Sequence, residues 1–422
     1  MARGAAPAAA WVLTRFGLLL LVLQVVTLPG PDVTSDVEVI YRGWYEVLRT
    51  GTFPVDDVSW QYPPGAALAV LSPALLPFLG YAPAFFALAC AADALVLALL
   101  LRAGGGAASA RRGSRAGAWY WVAGVPLLGP TAYARYDLMV TAVAVAALLA
   151  AVRRPAVAGA LAGFGAMLKV WPVLLLLGAA RGRATRLAWG AAAGTAAALA
   201  LVAAVALPGA FGFLTAQRDR GTEVESLGAL VFHVGRHAGW DGTVELHYGS
   251  MEFLGPGVGV VSDLALGLSL LAMGWLVLWR LRAREFTATT WCEAAFAGTL
   301  LFTTTSRVIS PQYLIWLVGL AAVCLTLRAA RMALPAGLVL AATGVTLAEF
   351  PVWFGEVVAS TGFGIALLAL RNGLLVAATA VACVRLWRST VTEPGRRARG
   401  VDAGVPRQRG RTASARDGLL TW

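Results

Sequence analysis

Apolar stretches of helical length recur from one end of this chain to the other, and short clusters of arginine separate them. No other feature constrains the fold as much. About 20 apolar residues let an α-helix cross a bilayer. Inside lipid, only helices and closed barrels satisfy their own backbone hydrogen bonds. Of the 422 residues, 59% are hydrophobic and 13% charged, where soluble proteins carry about 25% charged residues. A soluble globule and a disordered chain are both excluded, and an all-α polytopic membrane protein is expected. The formal net charge of +12 does not indicate nucleic acid, because the arginines sit between apolar stretches, the pattern that sets membrane topology. Cys90, Cys292, Cys324 and Cys383 lie scattered in apolar stretches and make neither a CxxC pair nor a disulfide framework.

The arginine clusters are Arg102–Arg115, Arg153-Arg154, Arg181–Arg186, Arg280–Arg284, Arg328–Arg331 and the run from Arg385 onward. Placing them in the cytoplasm predicts about twelve spans with both ends inside. These are residues 11–29, 82–102, 117–134, 136–152, two short halves within 155–180, 187–207, 256–280, 289–306, 312–328, 332–350 and 371–387. A signal peptide is the rival reading of the first stretch, because Pro29-Gly30-Pro31 follows it. A retained span is preferred, since the rest of the chain is membrane-bound too. Residues 65–80, broken by Pro73 and Pro77, are expected to rest at the outer surface without crossing. A transmembrane domain then runs over 1–388, with outer loops 30–81, 208–255 and 351–370. The Arg/Gly-rich tail, 389–422, is expected to be disordered.

The polar exceptions collect on the outer side. Ser35-Asp36-Val37-Glu38 fits a capping box with Ser35 as the cap. The apolar stripe Val37, Ile40, Tyr41, Trp44, Val47 and Leu48 follows at helical spacing. Asp36 lies in the first turn, where the helix dipole favours a carboxylate, the form a proton acceptor needs. It is also simply a good first-turn residue. Tyr62-Pro63-Pro64 is stiff and extended, suited to walling a groove or to leading into the next helix. Arg135 and Asp137 share a short turn, as a functional pair or as two charges satisfying each other. Lys169 is the single lysine among 34 basic residues. It interrupts an apolar run beside Trp171-Pro172, where the two short halves meet, and a compact ammonium suits a phosphate; an interfacial anchor is the plainer reading. Arg307 offers a cation beside hydroxyl and amide groups in the outer turn 303–316. His233 and His237 have a spacing that could share a metal, but spacing fixes no third ligand, and no metal site is expected. Asp93, Asp263 and Glu293 within spans receive no role.

Asp36-x4-Tyr41, Gly51, Tyr62-Pro63-Pro64, Arg135-x-Asp137, the Gly159–Pro172 stretch with Lys169, Glu225-Ser226, Ser310-Pro311-Gln312-Tyr313-x2-Trp316 and Arg371-Asn372 occur in this order. Over about residues 30–388 the chain resembles glycosyltransferase family 87, membrane enzymes of the GT-C fold common in actinobacteria. The resemblance implies transfer of mannose from polyprenyl-phosphate-mannose to a glycolipid or glycan acceptor outside the plasma membrane. It implies no cofactor, and partners that are lipids and glycans rather than nucleic acid. Asp36 matches the position of the family's catalytic carboxylate. Lys169, Arg135 and Arg307 are the candidates for holding the donor phosphate. Tyr41, Tyr62, Asp137, Glu225, Gln312 and Tyr313 are the candidates for substrate contacts. A lipid-linked sugar flippase and a non-catalytic partner in envelope glycan assembly are the rival classes. The first would place its charges near the midplane, and the second would make Asp36 dispensable.

Overall fold

Helix length divides the apolar segments into two groups. The computed structural model describes residues 2–55, 57, 59–105, 113–216, 220–328 and 330–392. In chain order its helices are α1 (Ala2–Val22), α2 (Arg42–Arg49), α3 (Ala66–Leu71), α4 (Tyr81–Gly105), α5 (Ala116–Gly124), α6 (Asp137–Ala151), α7 (Pro155–Leu168) and α8 (Arg183–Ala206). Then come α9 (Phe213–Ala216), α10 (Leu230–Arg236), α11 (Val258–Arg282), α12 (Thr290–Thr305), α13 (Tyr313–Thr326), α14 (Ala333–Leu347), α15 (Phe354–Val358) and α16 (Gly362–Trp387). Among the described residues, α1, α4, α8, α11, α14 with its extension to Val352, and α16 with its extension to Thr392 are the helices long and apolar enough to cross a membrane, six in all. Each of the other expected spans has a helix or helical turn at its place, but a shorter one. The 14 residues of α7 reach about 21 Å at 1.5 Å per residue, against a hydrocarbon core of ~30 Å.

The short helices are the buried ones. From Leu314 to Cys324, α13 is buried throughout, and α12 is nearly so. In contrast, α8 and α11 expose Leu201, Val205, Leu270 and Leu271. Water would drive so much apolar surface into association; lipid does not. On the inner side of α8, Gly159 and Gly163 of α7 lie so close that a Cβ at either would overlap the carbonyl oxygen of Ala188 or Ala192. Small residues one turn apart permit this approach, and it fixes the end of α7, where Lys169 follows.

Several boundaries differ from those expected. The first helix is Ala2–Val22 rather than 11–29, and it carries the buried Arg15. Arg15 Nε donates to Asp93 Oδ2 of α4 at 2.7 Å. Trp11, Trp121 and Tyr133 also donate to that carboxylate, so Asp93, without a role in the sequence, is a fully satisfied joint between α1, α4 and the α5 region. The segment after α3 continues only as a tight turn over Ser72–Leu75, far short of a crossing. The last long helix begins at Gly362 instead of residue 371, and α15 occupies part of the expected loop 351–370. Residues 389–392, expected in the tail, continue the helix as a π-helical turn; the rest of the tail, and Arg111-Arg112, lie outside the described residues.

The expectation of an all-α chain fails in the long loop over residues 208–255. Strands β1 (Thr222–Glu223), β2 (Thr243–His247) and β3 (Ser250–Leu254) form an antiparallel sheet in the order β1-β3-β2. Tyr248 and Gly249 join β2 to β3 with φ of 49° and 75°, the two positive values that a two-residue hairpin turn requires. Phe253 packs there with Val224, Phe232 and Val357 in a small core separate from the main one.

Candidate functional site

The loop that follows α1 is shaped by Asp32. Its carboxylate accepts from the Thr34 amide at 2.9 Å and the Thr34 hydroxyl at 2.7 Å, and the Thr34 carbonyl takes the first helical bonds, from Val37 and Glu38. The expected capping box is not formed: Ser35 makes no cap bond, and its hydroxyl instead donates back to the Asp32 carbonyl. The turn over Asp36–Tyr41 is π-helical and runs into α2. Val37, Tyr41, Trp44 and Leu48 are the stripe residues that are buried. Trp44 lies 4.8 Å from Trp60 and 5.9 Å from Tyr62, and Tyr62 lies 5.3 Å from Tyr136. Burial raises the pKa of Asp57, but hydrogen bonds from Ser59 and Trp44 outweigh it and hold the carboxylate below its ordinary range. This aromatic chain seats the loop on the turn before α6 and turns Asp36 toward a cavity.

The cavity holds about 650 Å³. Asp36, Tyr41 and Tyr62 line it from the first loop, Arg135 and Lys169 from the turns between helices. Glu225, Gln312 and Tyr313 line it from the far side. Asp137 stands behind Lys169 and does not face the cavity. Arg307 is not in the wall either; its guanidinium donates to the Arg220 carbonyl at 3.1 Å. Arg220 takes its place among the lining residues.

Each cation here arrives with a carboxylate. Arg135 lies 2.6 Å from Asp36, Lys169 2.7 Å from Asp137, and Arg220 2.6 Å from Glu252. Arg135 and Asp137 therefore do not satisfy each other. Arg135 also donates to the Val33 and Ala134 carbonyls, tying the first loop to the α6 turn. The Asp36 contact uses Oδ2; Oδ1 has no partner among the described residues, and the side chain is 30% exposed. Lys169 sits at the break between α7 and the turn Trp171–Gly178. Its ammonium is 5.1–5.7 Å from the rings of Tyr62, Tyr136, Tyr313 and Trp316, an aromatic cage of the kind that holds cations. Trp316 also donates to Asp137 Oδ1 at 2.7 Å.

On the opposite wall, β1 carries Glu223 into Val224-Glu225. Arg371 of α16 reaches Glu349 at 2.8 Å and Glu225 at 3.2 Å, and Asn372 donates to the Glu225 carbonyl. The motifs Glu225-Ser226 and Arg371-Asn372, far apart in sequence, are thus one cluster. Glu223 and Glu349 were missed as its members. A buried acid and a buried arginine in consecutive apolar segments were the available signal. His233 uses both ring nitrogens, on Ser360 and the Val224 carbonyl, and His237 bonds the Ser360 carbonyl. Among the described residues no cluster of His, Cys, Asp or Glu has the makings of a metal site.

A cavity lined by carboxylates, cations and aromatic rings can hold a charged head group and a polar acceptor together. The family model described as Glycosyltransferase family 87 matches residues 60–311. That stretch includes Tyr62, Arg135, Asp137, Lys169, Glu225 and Arg307, and leaves Asp36, Tyr41, Gln312 and Tyr313 outside it. No curated protein and no solved structure matches the chain.

Proposed function

The chain belongs to glycosyltransferase family 87, and on that footing we propose that it moves a mannosyl (hexosyl) residue from a polyprenyl-phosphate donor to a glycolipid or glycan acceptor at the outer face of the plasma membrane. The observation that carries the reading is Asp36: its carboxylate lines the cavity with Oδ2 ion-paired to Arg135 and Oδ1 left to accept. An acceptor hydroxyl placed against Oδ1 gives up its proton as its oxygen attacks the anomeric carbon. The bond from that carbon to the phosphate oxygen breaks, and polyprenyl phosphate leaves with the electron pair. A single displacement inverts the anomeric centre, so a β-linked donor gives an α-linked product.

The charge growing on the leaving phosphate has to be met by fixed positive groups. Lys169, Arg135 and Arg220 are the cations that line the cavity, and they are the donor-phosphate candidates in place of the earlier set with Arg307. Tyr41, Tyr62, Gln312 and Tyr313 wall the space for the sugar, and Asp137 positions Lys169. About twelve passes, with the short helices completing crossings in the shelter of the long ones, put the cavity outside the cytoplasm.

The test is Asp36→Asn, with transfer of labelled mannose from a polyprenyl-phosphate donor measured beside donor affinity. Turnover is expected to fall at least ~100-fold, the low end for a lost general base, with donor affinity little changed. The fold should survive, since Asp32 rather than Asp36 starts the helix. Retained turnover would remove Asp36 as base, and absence of transfer by the wild-type protein would favour the flippase or partner reading.

A further inference from the structure

Three carboxyls, Glu223, Glu225 and Glu349, are 2%, 4% and 0% exposed around Arg371, which is fully buried. Among the described residues Arg371 is the cation that contacts them directly. The Arg220 guanidinium, nearby, is engaged by Glu252, Gln61 and Ser250. The three carboxyls are not equally supported as anions. Glu349 receives a fork from Arg371, at 2.8 Å on Oε2 and 3.2 Å on Oε1. Glu223 accepts from the Ile309 amide at 2.6 Å on one oxygen and from the Ser310 hydroxyl at 2.7 Å on the other. Glu225 has a single contact, 3.2 Å from Arg371 to Oε1. Its Oε2 has no partner among the described residues, and the residue lines the cavity.

We propose that Glu225 carries a proton in the resting protein and offers its O–H to a phosphoryl oxygen of the lipid-linked donor. This rests on the donor reading above and adds a contact to it. The groups facing Glu225 are Glu223 on its own segment, Glu349 from the turn after α14, Arg371 and Asn372 from α16, and His233 of α10 through the Val224 carbonyl. With one cation among three acids, the least supported acid avoids an uncompensated buried charge by holding a proton. Burial first, then the charges of Glu349 and Glu223, push its pKa well above the usual carboxylate range. Function gives the arrangement a purpose. Arg135, Lys169 and Arg220 each face a carboxylate already, so an ionised Glu225 would leave the cavity repelling a phosphate. A neutral carboxylic acid attracts one, and its hydrogen bond strengthens as the leaving oxygen gains charge.

The purified protein in lipid nanodiscs allows the proton to be seen without any turnover. Infrared spectroscopy should show the carbonyl stretch of a protonated, buried carboxyl in wild type, and Glu225→Gln should lose it. A short-chain alkyl phosphodiester, singly charged at every pH used, is the binding probe, with inorganic phosphate as the second arm. Wild-type affinity for the diester should fall ~10-fold per pH unit once Glu225 loses its proton, in step with the disappearance of the band. Glu225→Gln, still a neutral donor, should bind the diester with no such dependence. A band that persists in Glu225→Gln, or a wild-type band that fades without any change in affinity, overturns the proposal. So does an unchanged pH profile in the variant. Equal binding of inorganic phosphate overturns the assignment to a lipid-linked donor. If wild type shows the band, Glu225→Gln lacks it, and no diester binds at any pH, then the phosphoryl contact and the donor reading of the cavity both fall, while the transfer assay on Asp36→Asn separately decides whether the protein is a transferase.

Discussion

Lys169→Met separates two roles that Lys169 plays in one place. The ammonium is 2.7 Å from Asp137, with side-chain exposures of 11% and 1%, so solvent screens the pair little. Removing the lysine leaves the Asp137 carboxylate buried with Oδ1 held by Trp316 alone and Oδ2 without a hydrogen-bond partner. Breaking one side of a buried pair costs about 3–5 kcal/mol, whereas removing both charges together is often close to neutral. Lys169→Met should therefore unfold well below wild type when followed by tryptophan fluorescence in nanodiscs. The double variant Lys169→Met/Asp137→Leu should recover most of that loss. Donor affinity should be low in both. A single variant as stable as wild type would refute the argument that the pair is a desolvated unit. A double variant with wild-type donor affinity would remove Lys169 from the donor site and leave it a structural anchor.

Gly163→Val should destabilise the α7–α8 contact by roughly 1–3 kcal/mol, the usual cost of overpacking, because its Cβ would overlap the Ala192 carbonyl; an unchanged unfolding temperature would contradict the close approach. Arg307→Gln should leave donor affinity near wild type while Arg220→Gln lowers it, since only the second lines the cavity; titration with a donor analogue decides. Burial lowers the pKa of His233, so the folded protein resists taking up its proton. Stability from this group is complete above its unfolded value of ~6.5 and is lost as pH falls toward the folded pKa. Unfolding temperature should accordingly drop faster with acid in wild type than in His233→Gln, and parallel curves would sink the assignment.

The sequence was legible where one dominant force acted. Apolar runs flanked by arginine placed a helix or helical turn at every expected span, six of them, among the described residues, long enough to cross a membrane, and the solitary Lys169 beside Pro172 marked a true break. It was misleading where several local choices were nearly equivalent. Asp32, Thr34 and Ser35 crowd one turn, all three able to start a helix, and the crowding hid which side chain does so. Arg135 and Asp137 are neighbours in sequence, but residues two apart at a helix start do not face each other. One turns back to Asp36 and the other inward to Lys169. Long-range partners were invisible for a simpler reason: nothing in an isolated apolar helix says which other helix will meet its charge, so Arg371 with Glu349 and Glu225 needed the folded chain. The hairpin was missed because two five-residue strands in a long polar loop give too short an alternation to separate from coil.

The joint between Arg15 and Asp93 has a consequence for biogenesis. The two residues are 78 positions apart in the chain. At a synthesis rate of ~5–20 residues per second, about 4–16 s pass between the appearance of the guanidinium and that of its carboxylate. Over that interval the first helix carries a charge with no mate and cannot settle into lipid at its final depth without a penalty. It has to wait, beside the insertion machinery or with Arg15 drawn toward the head groups, until α4 follows. Docking of α1 is therefore gated by the arrival of a later segment, and a ribosome paused between the two would hold the nascent chain in a state from which the first helix can still slip back.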